Sequence, residues 1–277
     1  MSLAVNYRDY WKLSRWPFGD CVPPSTYLEL PGQVEADARL KVVIERLYPL
    51  SVVVGPDGCG KTTFLKRNFQ PQLLIKRKQL ARPIYTSMAG MGRGDLFTAI
   101  AASTYERSGI SSGLTAERQV RDVLKSNSLQ GLSSLIFLDD IHLADSETAL
   151  DVFRLLDTNQ DIALVLCATE IPPSPFQDLI HSRAQLRIDL QPWTLTDVEQ
   201  FIQKSIANAG GNPLLFSDQS IVRLHELSEG LARRLIQLLE ITLLAGAANN
   251  AEGITPELVD TAAEEIAIPQ AEDQWSV

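Results

Sequence analysis

The sequence predicts a three-layer α/β domain with a parallel five-stranded sheet, followed by a small all-helical domain. Three observations predict this architecture. A glycine-rich loop of the form G-x-x-x-x-G-K-[ST] follows a run of valines and opens a helix. Five short apolar segments alternate with helical patterns before Pro192, which is typical of a parallel sheet covered by helices. Beyond Pro192 the apolar residues recur at helical spacing throughout.

Composition sets the outer limits. With 277 residues, 45% of them hydrophobic, the chain can bury one substantial core and a smaller satellite core. No signal-peptide pattern and no run of about 18 apolar residues is present, so we expect a cytoplasmic protein without a membrane contact. The cysteines and histidines are too scattered for a disulfide or zinc site, and we expect the histidines to be ordinary surface or packing residues. They are Cys21, Cys59, Cys167, His142, His181 and His225.

Residues 1–35 form an irregular aromatic segment whose prolines exclude long helices. We expect this segment to pack on the α/β domain, residues 36–191. Pro17-Phe18 either borders a bound adenine or packs in a core. The apolar spacing predicts a helix over Glu35–Leu47.

The strand Val52–Val54 leads into the glycine-rich loop, and the context is that of a phosphate-binding loop. Its glycines permit positive φ and turn N–H groups towards phosphates, while the following helix presents its amino terminus. Lys61 is expected to reach the β and γ phosphates of ATP, and the Thr62 hydroxyl to bind Mg²⁺. The predicted nucleotide-binding residues are Gly55, Pro56, Asp57, Gly58, Cys59, Gly60, Lys61, Thr62 and Thr63.

Cys59 allows two interpretations. It lies beside Lys61 and near a helix amino terminus, two features that lower a thiol pKa. It is therefore either a reactive thiol or simply a small residue that fills the loop.

A second strand is predicted over Pro83–Ser87, followed by the glycine-rich loop Ala89–Gly94. Helices are predicted over Asp95–Ser108 and over Thr115–Asn127, the latter with Thr115 as its N-cap.

The third strand, Ser134–Leu138, ends in two aspartates. Acidic residues at the carboxyl end of a buried strand that follows a P-loop are typical of a Walker B motif. Asp139 is expected to bind Mg²⁺, and Asp140 to polarise the attacking water. Asp is about 1.5 Å shorter than the Glu of most comparable ATPases, so hydrolysis is expected to be slow or to need a neighbouring group.

A helix over Asp145–Asn159 precedes a fourth strand, Ile162–Ala168. A fifth strand, Leu186–Leu190, has the pattern of an edge or half-buried strand. Thr169 follows the fourth strand and is the candidate residue for sensing the γ-phosphate.

The helical domain is predicted over residues 192–268, with a polar tail over residues 269–277. Residues typical of helix starts support the four helices predicted here. Ser217 is a predicted N-cap, and Pro256 is predicted at a first helical position. The predicted helices are Thr196–Ala209, Ser217–Ser228, Leu231–Ala248 and Thr255–Ile266.

This order of motifs resembles the AAA+ superfamily, in particular the branch of ExeA-type secretion ATPases and the TnsC, TniB and MuB transposition regulators. The likeness rests on Trp16-Pro17-Phe18, on the Asp139-Asp140 pair, on the stretch His181–Thr194 and on Gly230–Ile236. It implies an arginine finger, offered to a neighbouring subunit.

The finger implied by the resemblance is Arg183. A sensor-2 arginine is also implied, at Arg233 or Arg234, with Arg233 favoured. Ala232 stands where the family usually has proline, which leaves the choice between the two arginines open.

Three functions are consistent with this resemblance: a DNA transposition regulator, a general-secretion ATPase and a nucleotide-switch signalling module. The first would assemble with ATP as a ring or filament on duplex DNA of any sequence, and link a target selector to a transposase. Secretion-type relatives commonly continue past the lid into a membrane segment, which this sequence does not contain, so the DNA role is expected.

Charge distribution also favours the DNA role, although the net charge of −9 taken alone argues against it. Eight of the 25 basic residues and none of the 34 acidic ones lie between Lys61 and Gly94. Candidate DNA contacts in this basic segment are Arg93, Lys76, Arg77 and Lys78.

Overall fold

The computed structural model describes residues 6–18, 30–69, 80–104, 114–158 and 161–266. Lys76, Arg77, Lys78, the polar tail and the end of the predicted helix Asp95–Ser108 lie outside these residues. The chain divides into two units, one over Gln33–Gln191 and one that combines Met1–Gly32 with Pro192–Val277.

The first unit is built on one parallel sheet with the strand order β2-β3-β4-β1-β5. Strands β1, β3 and β4 are buried along their whole length, because helices cover both faces of the sheet and exclude water from the central strands. The strands are β1 (Leu50–Val54), β2 (Ile84–Ser87), β3 (Ser134–Asp139), β4 (Ile162–Ala168) and β5 (Leu186–Asp189).

Helices connect consecutive strands, as parallel pairing requires. In the described residues these connecting helices are α3 (Lys61–Asn68), α4 (Asp95–Thr104), α5 (Leu114–Leu129), α6 (Thr148–Thr158) and α7 (Phe176–Arg183), with a 3₁₀ turn at Ile141–Leu143. Helix α2 (Pro31–Arg46) precedes β1. The predicted three-layer α/β fold with a five-stranded parallel sheet is confirmed. The edge position of β5 is also as predicted.

Several local predictions differ from the structure, among them the start of α2, which is Pro31 rather than Glu35. Thr115 is not an N-cap, because α5 already includes Leu114. The helix predicted from Asp145 begins at Thr148, because the Asp145 carboxylate accepts from the Glu147 amide and closes a turn first. Helix α7 was not predicted.

The second unit contains α1 (Tyr7–Tyr10), α8 (Leu195–Asn208), α9 (Asp218–Ser228), α10 (Ala232–Ala248) and α11 (Pro256–Ile266). Thr194 and Asp197 form a capping box at α8. Ser217 caps α9 by accepting from the Ser220 amide. Both caps satisfy amide groups that a helix start leaves without a partner.

The described part of the aromatic segment packs in the core of the helical unit. Tyr7, Leu13 and Phe18 are buried in the core of the helical unit. The Phe18 ring lies 5.6 Å from that of Phe201, and the Trp11 indole donates to the Leu243 carbonyl at 2.8 Å. The described part of this segment therefore contributes to the core of the helical unit, and its packing on the α/β domain stays a prediction. Of the two roles considered for Phe18, core packing is the one observed.

No helix in the described part of the chain combines the length and apolar character needed to cross a membrane.

Candidate functional site

The glycine-rich loop connects β1 to α3 at the carboxyl edge of the sheet. Gly58 and Gly60 have φ values of 76° and 96°, a region that side chains disfavour. A Cβ on Gly55 would lie 2.6 Å from the Leu190 carbonyl oxygen, so this position admits only glycine. The loop is therefore shaped by its glycines as the motif predicts.

Lys61 is buried and folds back over the loop. Its ammonium group donates to the carbonyl oxygens of Gly55 and Pro56, both at 2.9 Å. These contacts hold the Lys61 ammonium group against the backbone of the loop. A phosphate placed on the loop would therefore meet a preformed cation.

Thr62 and Asp139 lie side by side. The Thr62 hydroxyl donates to Asp139 Oδ2 at 2.8 Å, and Asp139 is fully buried at the end of β3. Both offer the oxygen ligands that Mg²⁺ prefers, and protein Mg²⁺ sites usually complete their shell with phosphate and water. The pair predicted to bind Mg²⁺ thus fits that ion.

Asp139 accepts further hydrogen bonds that the sequence did not reveal. The Tyr85 hydroxyl donates to Oδ2 at 2.8 Å, and the amide of Asp140 donates to Oδ1 at 3.0 Å. The pKa of the Cys167 thiol is raised by burial and by the charge of Asp139. Burial and the hydrogen bond to Asp139 likewise raise the pKa of Tyr85, so both groups remain protonated at neutral pH.

Asp140 adopts the left-handed region, with φ of 58°, where the chain leaves β3 for the 3₁₀ turn. Such a conformation is uncommon for a residue with a side chain and occurs most often at functional positions. The Ser87 hydroxyl donates to Asp140 Oδ2 at 2.9 Å. The side chain is half-buried and held at the same edge of the sheet as the loop.

Thr169 follows β4, next to the loop, since the Gly55 amide donates to the Ala168 carbonyl. Its hydroxyl lies 3.0 Å from Nε2 of His142, and its amide donates to Nδ1 of the same ring at 3.4 Å. Because an amide can only donate, Nδ1 accepts and Nε2 carries the ring proton. Thr169 then accepts from His142, and its own hydroxyl proton can serve another acceptor. His142, expected to have no special role, thus contacts the predicted sensor.

Cys59 is buried, and desolvation is the largest of the effects that raise the pKa of its thiol. Its burial favours the interpretation as a small residue that fills the loop. This is the second of the two interpretations that the sequence left open.

The candidate residues outside the loop have other partners. Arg183, at the end of α7, is ion-paired with Asp157 at 2.6 Å. Arg93 lies 4.0 Å from Glu147. In the helical unit, Arg233 and Arg234 are both exposed in the first turn of α10, and Arg234 pairs with Glu229.

The described basic segment does not form one uniform face. Arg67 pairs with Asp37 at 2.9 Å, the Lys66 ammonium lies over the Tyr85 ring, and Lys61 is buried in the loop. Several of the positive charges counted in the sequence are therefore used inside the unit.

Fold and site together define a P-loop α/β protein whose loop lysine, threonine and paired aspartates converge at one edge of the sheet. No protein-family model matches the chain. Two solved structures have the same fold: the ORC2 protein of Aeropyrum pernix in its ADPNP-ADP complexes and the ORC1 protein of Aeropyrum pernix in complex with DNA. The first has a TM-score of 0.67 at 16% identity and covers 91% of this chain and 72% of its own. The second has a TM-score of 0.65 at 21% identity, with 88% and 68% covered.

The fold of this chain is therefore the one that these ORC structures share. Among curated proteins, General secretion pathway protein A of Aeromonas hydrophila is 25% identical over 280 residues, which is 97% of this chain and 50% of the relative. The chain thus spans about half the length of the curated relative that it matches.

Proposed function

We propose that this chain binds ATP with Mg²⁺ and hydrolyses it to ADP and phosphate. The observation that carries the proposal is the convergence of Lys61, Thr62, Asp139 and Asp140, joined by the 2.8 Å contact between Thr62 and Asp139. In the proposed complex the loop amides and Lys61 hold the phosphates. Thr62 and Asp139 hold Mg²⁺, which offsets negative charge on the phosphate oxygens.

The remaining residues act on the reacting atoms. Asp140 orients the attacking water and accepts its proton. The Thr169 hydroxyl donates a hydrogen bond to the water or to the γ-phosphate. Arg183 and Arg233 are proposed to stabilise the charge that develops on the γ-phosphate, Arg183 from a neighbouring copy. The role of Arg183 therefore requires an assembled, nucleotide-bound protein.

The proposal is tested by phosphate release from ATP, with Mg²⁺ and with Mg²⁺ chelated. Lys61→Ala is expected to abolish both nucleotide binding and turnover, because it removes the cation that meets the phosphates. Lys41→Ala, an exposed lysine of α2, is the matched control and should match the wild type. Phosphate release that persists in Lys61→Ala would place the reaction elsewhere.

For the biological role, we propose an assembly ATPase of the general-secretion type. The curated relative supports this role, since its likeness extends over 97% of the chain. The sequence alone favoured the DNA role partly on charge, and Arg67, one of the eight basic residues counted there, is ion-paired with Asp37 within the chain.

A second candidate is the regulator that oligomerises on duplex DNA and links target selection to a transposase. The basic segment supports it, as does the ORC1 structure of the same fold, which was solved with DNA. Each protomer would supply about one to three phosphate contacts, which are too few for a single protomer to bind duplex DNA tightly. DNA binding should therefore require assembly.

Duplex binding with an ATP analogue separates the two roles. For the DNA role, Arg93→Ala and the joint change of Lys76, Arg77 and Lys78 to alanine should weaken binding and flatten its salt dependence, by about 0.9 in the log–log slope per lost contact. Arg121→Ala, paired with Glu117 on α5, is the control. No duplex binding at low salt by a protein that assembles with nucleotide would leave the secretion-type role.

A further inference from the structure

Strand β2 supplies one hydroxyl to each of the two Walker B carboxylates. Tyr85 and Ser87 are two residues apart and therefore project from the same face of the strand. The Tyr85 hydroxyl donates to Asp139 Oδ2 at 2.8 Å, and the Ser87 hydroxyl donates to Asp140 Oδ2 at 2.9 Å.

The register of the sheet produces this match. In the parallel pairing of β2 with β3, Ser87 lies opposite Asp139 and Tyr85 lies opposite Phe137. The Met88 amide donates to the Asp139 carbonyl at 2.7 Å, which fixes the two strand ends together. Tyr85 thereby contacts the carboxylate two residues beyond its partner in register, and Ser87 contacts the carboxylate one residue beyond its own partner.

Neither contact is explained by packing alone. The Tyr85 ring packs 5.9 Å from the ring of Phe69, and Lys66 lies above it, but these contacts do not need the hydroxyl. The Ser87 hydroxyl accepts from the Ala89 amide at 3.4 Å, which leaves its proton directed to Asp140. Asp140 in turn holds a left-handed conformation, with φ of 58°, that residues with a side chain adopt infrequently.

We propose that Tyr85 and Ser87 are positioning residues with separate duties. Tyr85 orients Asp139 for Mg²⁺, and Ser87 orients Asp140 for the attacking water. Hydrogen-bond partners of this kind set the orientation of a metal ligand or a catalytic base, and their loss typically changes metal affinity or rate by about 10- to 100-fold. The inference rests on the ATPase function proposed above and assigns its two steps to different hydroxyls.

Tyr85→Phe keeps the ring and removes only the hydroxyl. We measure the affinity for a fluorescent, non-hydrolysable ATP analogue with Mg²⁺ and without it. The gain in affinity that Mg²⁺ provides should fall about tenfold, while the affinity without Mg²⁺ stays as in the wild type. Raising the Mg²⁺ concentration should restore turnover.

Ser87→Ala should give the opposite pattern. Affinity for the analogue should be unchanged with and without Mg²⁺, and kcat should fall about 10- to 100-fold. Ser87→Thr, which retains a hydroxyl and suits a strand, should recover most of the lost kcat.

Two controls match these changes. Tyr48→Phe alters a half-buried tyrosine just before β1, at the amino ends of the strands and away from the site. Ser103→Ala removes a hydroxyl that donates to the Ala99 carbonyl in α4. Thermal unfolding of each variant checks that the fold persists.

The outcomes are distinguishable. Variants that match their controls while the wild type hydrolyses ATP would overturn the inference and leave the proposed function intact. Equal effects of Tyr85→Phe and Ser87→Ala on Mg²⁺ dependence and kcat would overturn the division of duties. A wild-type protein that binds no nucleotide would overturn the proposed function itself.

Discussion

Asp139 shows how a carboxylate is kept in the interior of this sheet. Its burial is compensated by hydrogen bonds from Thr62, Tyr85 and the Asp140 amide, since a buried charge without such partners would be costly. The sequence located Asp139 through the strand pattern that precedes it. Its partner Tyr85 was not predictable, because the contact depends on the register between β2 and β3, which no local pattern reports.

His142 gives the clearest prediction at the scale of single residues. Removing its ring in His142→Ala would free the Thr169 hydroxyl to rotate, because the contacts to Nε2 and Nδ1 are lost. We expect kcat to fall about tenfold, the effect of one hydrogen bond of about 1.4 kcal/mol, with nucleotide affinity within twofold of the wild type.

The control for this prediction is His181→Ala, which removes an exposed histidine on α7. Steady-state phosphate release and nucleotide titration measure both quantities. If His142→Ala lowered affinity as much as kcat, His142 would support the loop as a whole rather than the sensor.

At the scale of elements, the strands were predicted well and one helix was missed. A continuous apolar run as short as Ile162–Ala168 favours a buried strand over a helix by its length, and the observed β4 has the same bounds. Helix α7 is short and follows three prolines, Pro172, Pro173 and Pro175. Prolines favour an irregular assignment locally, and only the buried packing of Phe176 and Leu179 reveals the helix.

The entry to the helical unit depends on Gly230. Its φ is 70°, and a Cβ there would lie 2.3 Å from the Trp193 carbonyl oxygen, which also contacts His225 at 3.1 Å. Gly230→Ala therefore combines backbone strain with a clash against backbone. We expect a loss of at least about 2 kcal/mol in the stability of this unit.

Gly210→Ala is the matched control, because its φ is 83° and the nearest atom is the movable Ser14 hydroxyl at 3.2 Å. It should cost only the strain of positive φ, about 1 kcal/mol. Urea unfolding followed by tryptophan fluorescence measures both, since all four tryptophans fall in the residue ranges of this unit. Equal midpoints for the two variants would remove the clash from the explanation.

At the scale of the whole molecule, the α/β fold followed from sequence while the place of the amino-terminal segment did not. Aromatic residues such as Tyr7 and Phe18 are expected to be buried, but the sequence does not specify which of the two cores contains them. The structure places them with α8 and α10 in the helical unit. That choice depends on contacts far apart in the chain, such as the Ser14 hydroxyl with the Ala209 carbonyl.

Assembly is expected to limit activity, because the proposed finger Arg183 acts on a neighbouring copy. Arg183→Ala should lower turnover by about 10³-fold or more and leave nucleotide affinity within a few-fold. Turnover per protomer of the wild type should rise with protein concentration. Because Arg183 is paired with Asp157 within its own chain, assembly must exchange this ion pair for the phosphate.

Arg187→Ala is the control for that experiment, since Arg187 is another exposed arginine paired with an aspartate, Asp189, in the same unit. Specific activity that does not depend on protein concentration, measured on a protein that remains monomeric with ATP, would exclude Arg183 from the reaction.

The most direct test of the central claim is to compare nucleotide affinity and phosphate release in Asp140→Asn. In the proposed mechanism the loop and the Thr62–Asp139 pair bind the nucleotide and Mg²⁺, whereas Asp140 acts only on the attacking water. We therefore expect Asp140→Asn to bind nucleotide within a few-fold of the wild type and to turn over about 10²-fold more slowly or worse. Affinity and turnover that fall together, or turnover that does not fall, would contradict this mechanism.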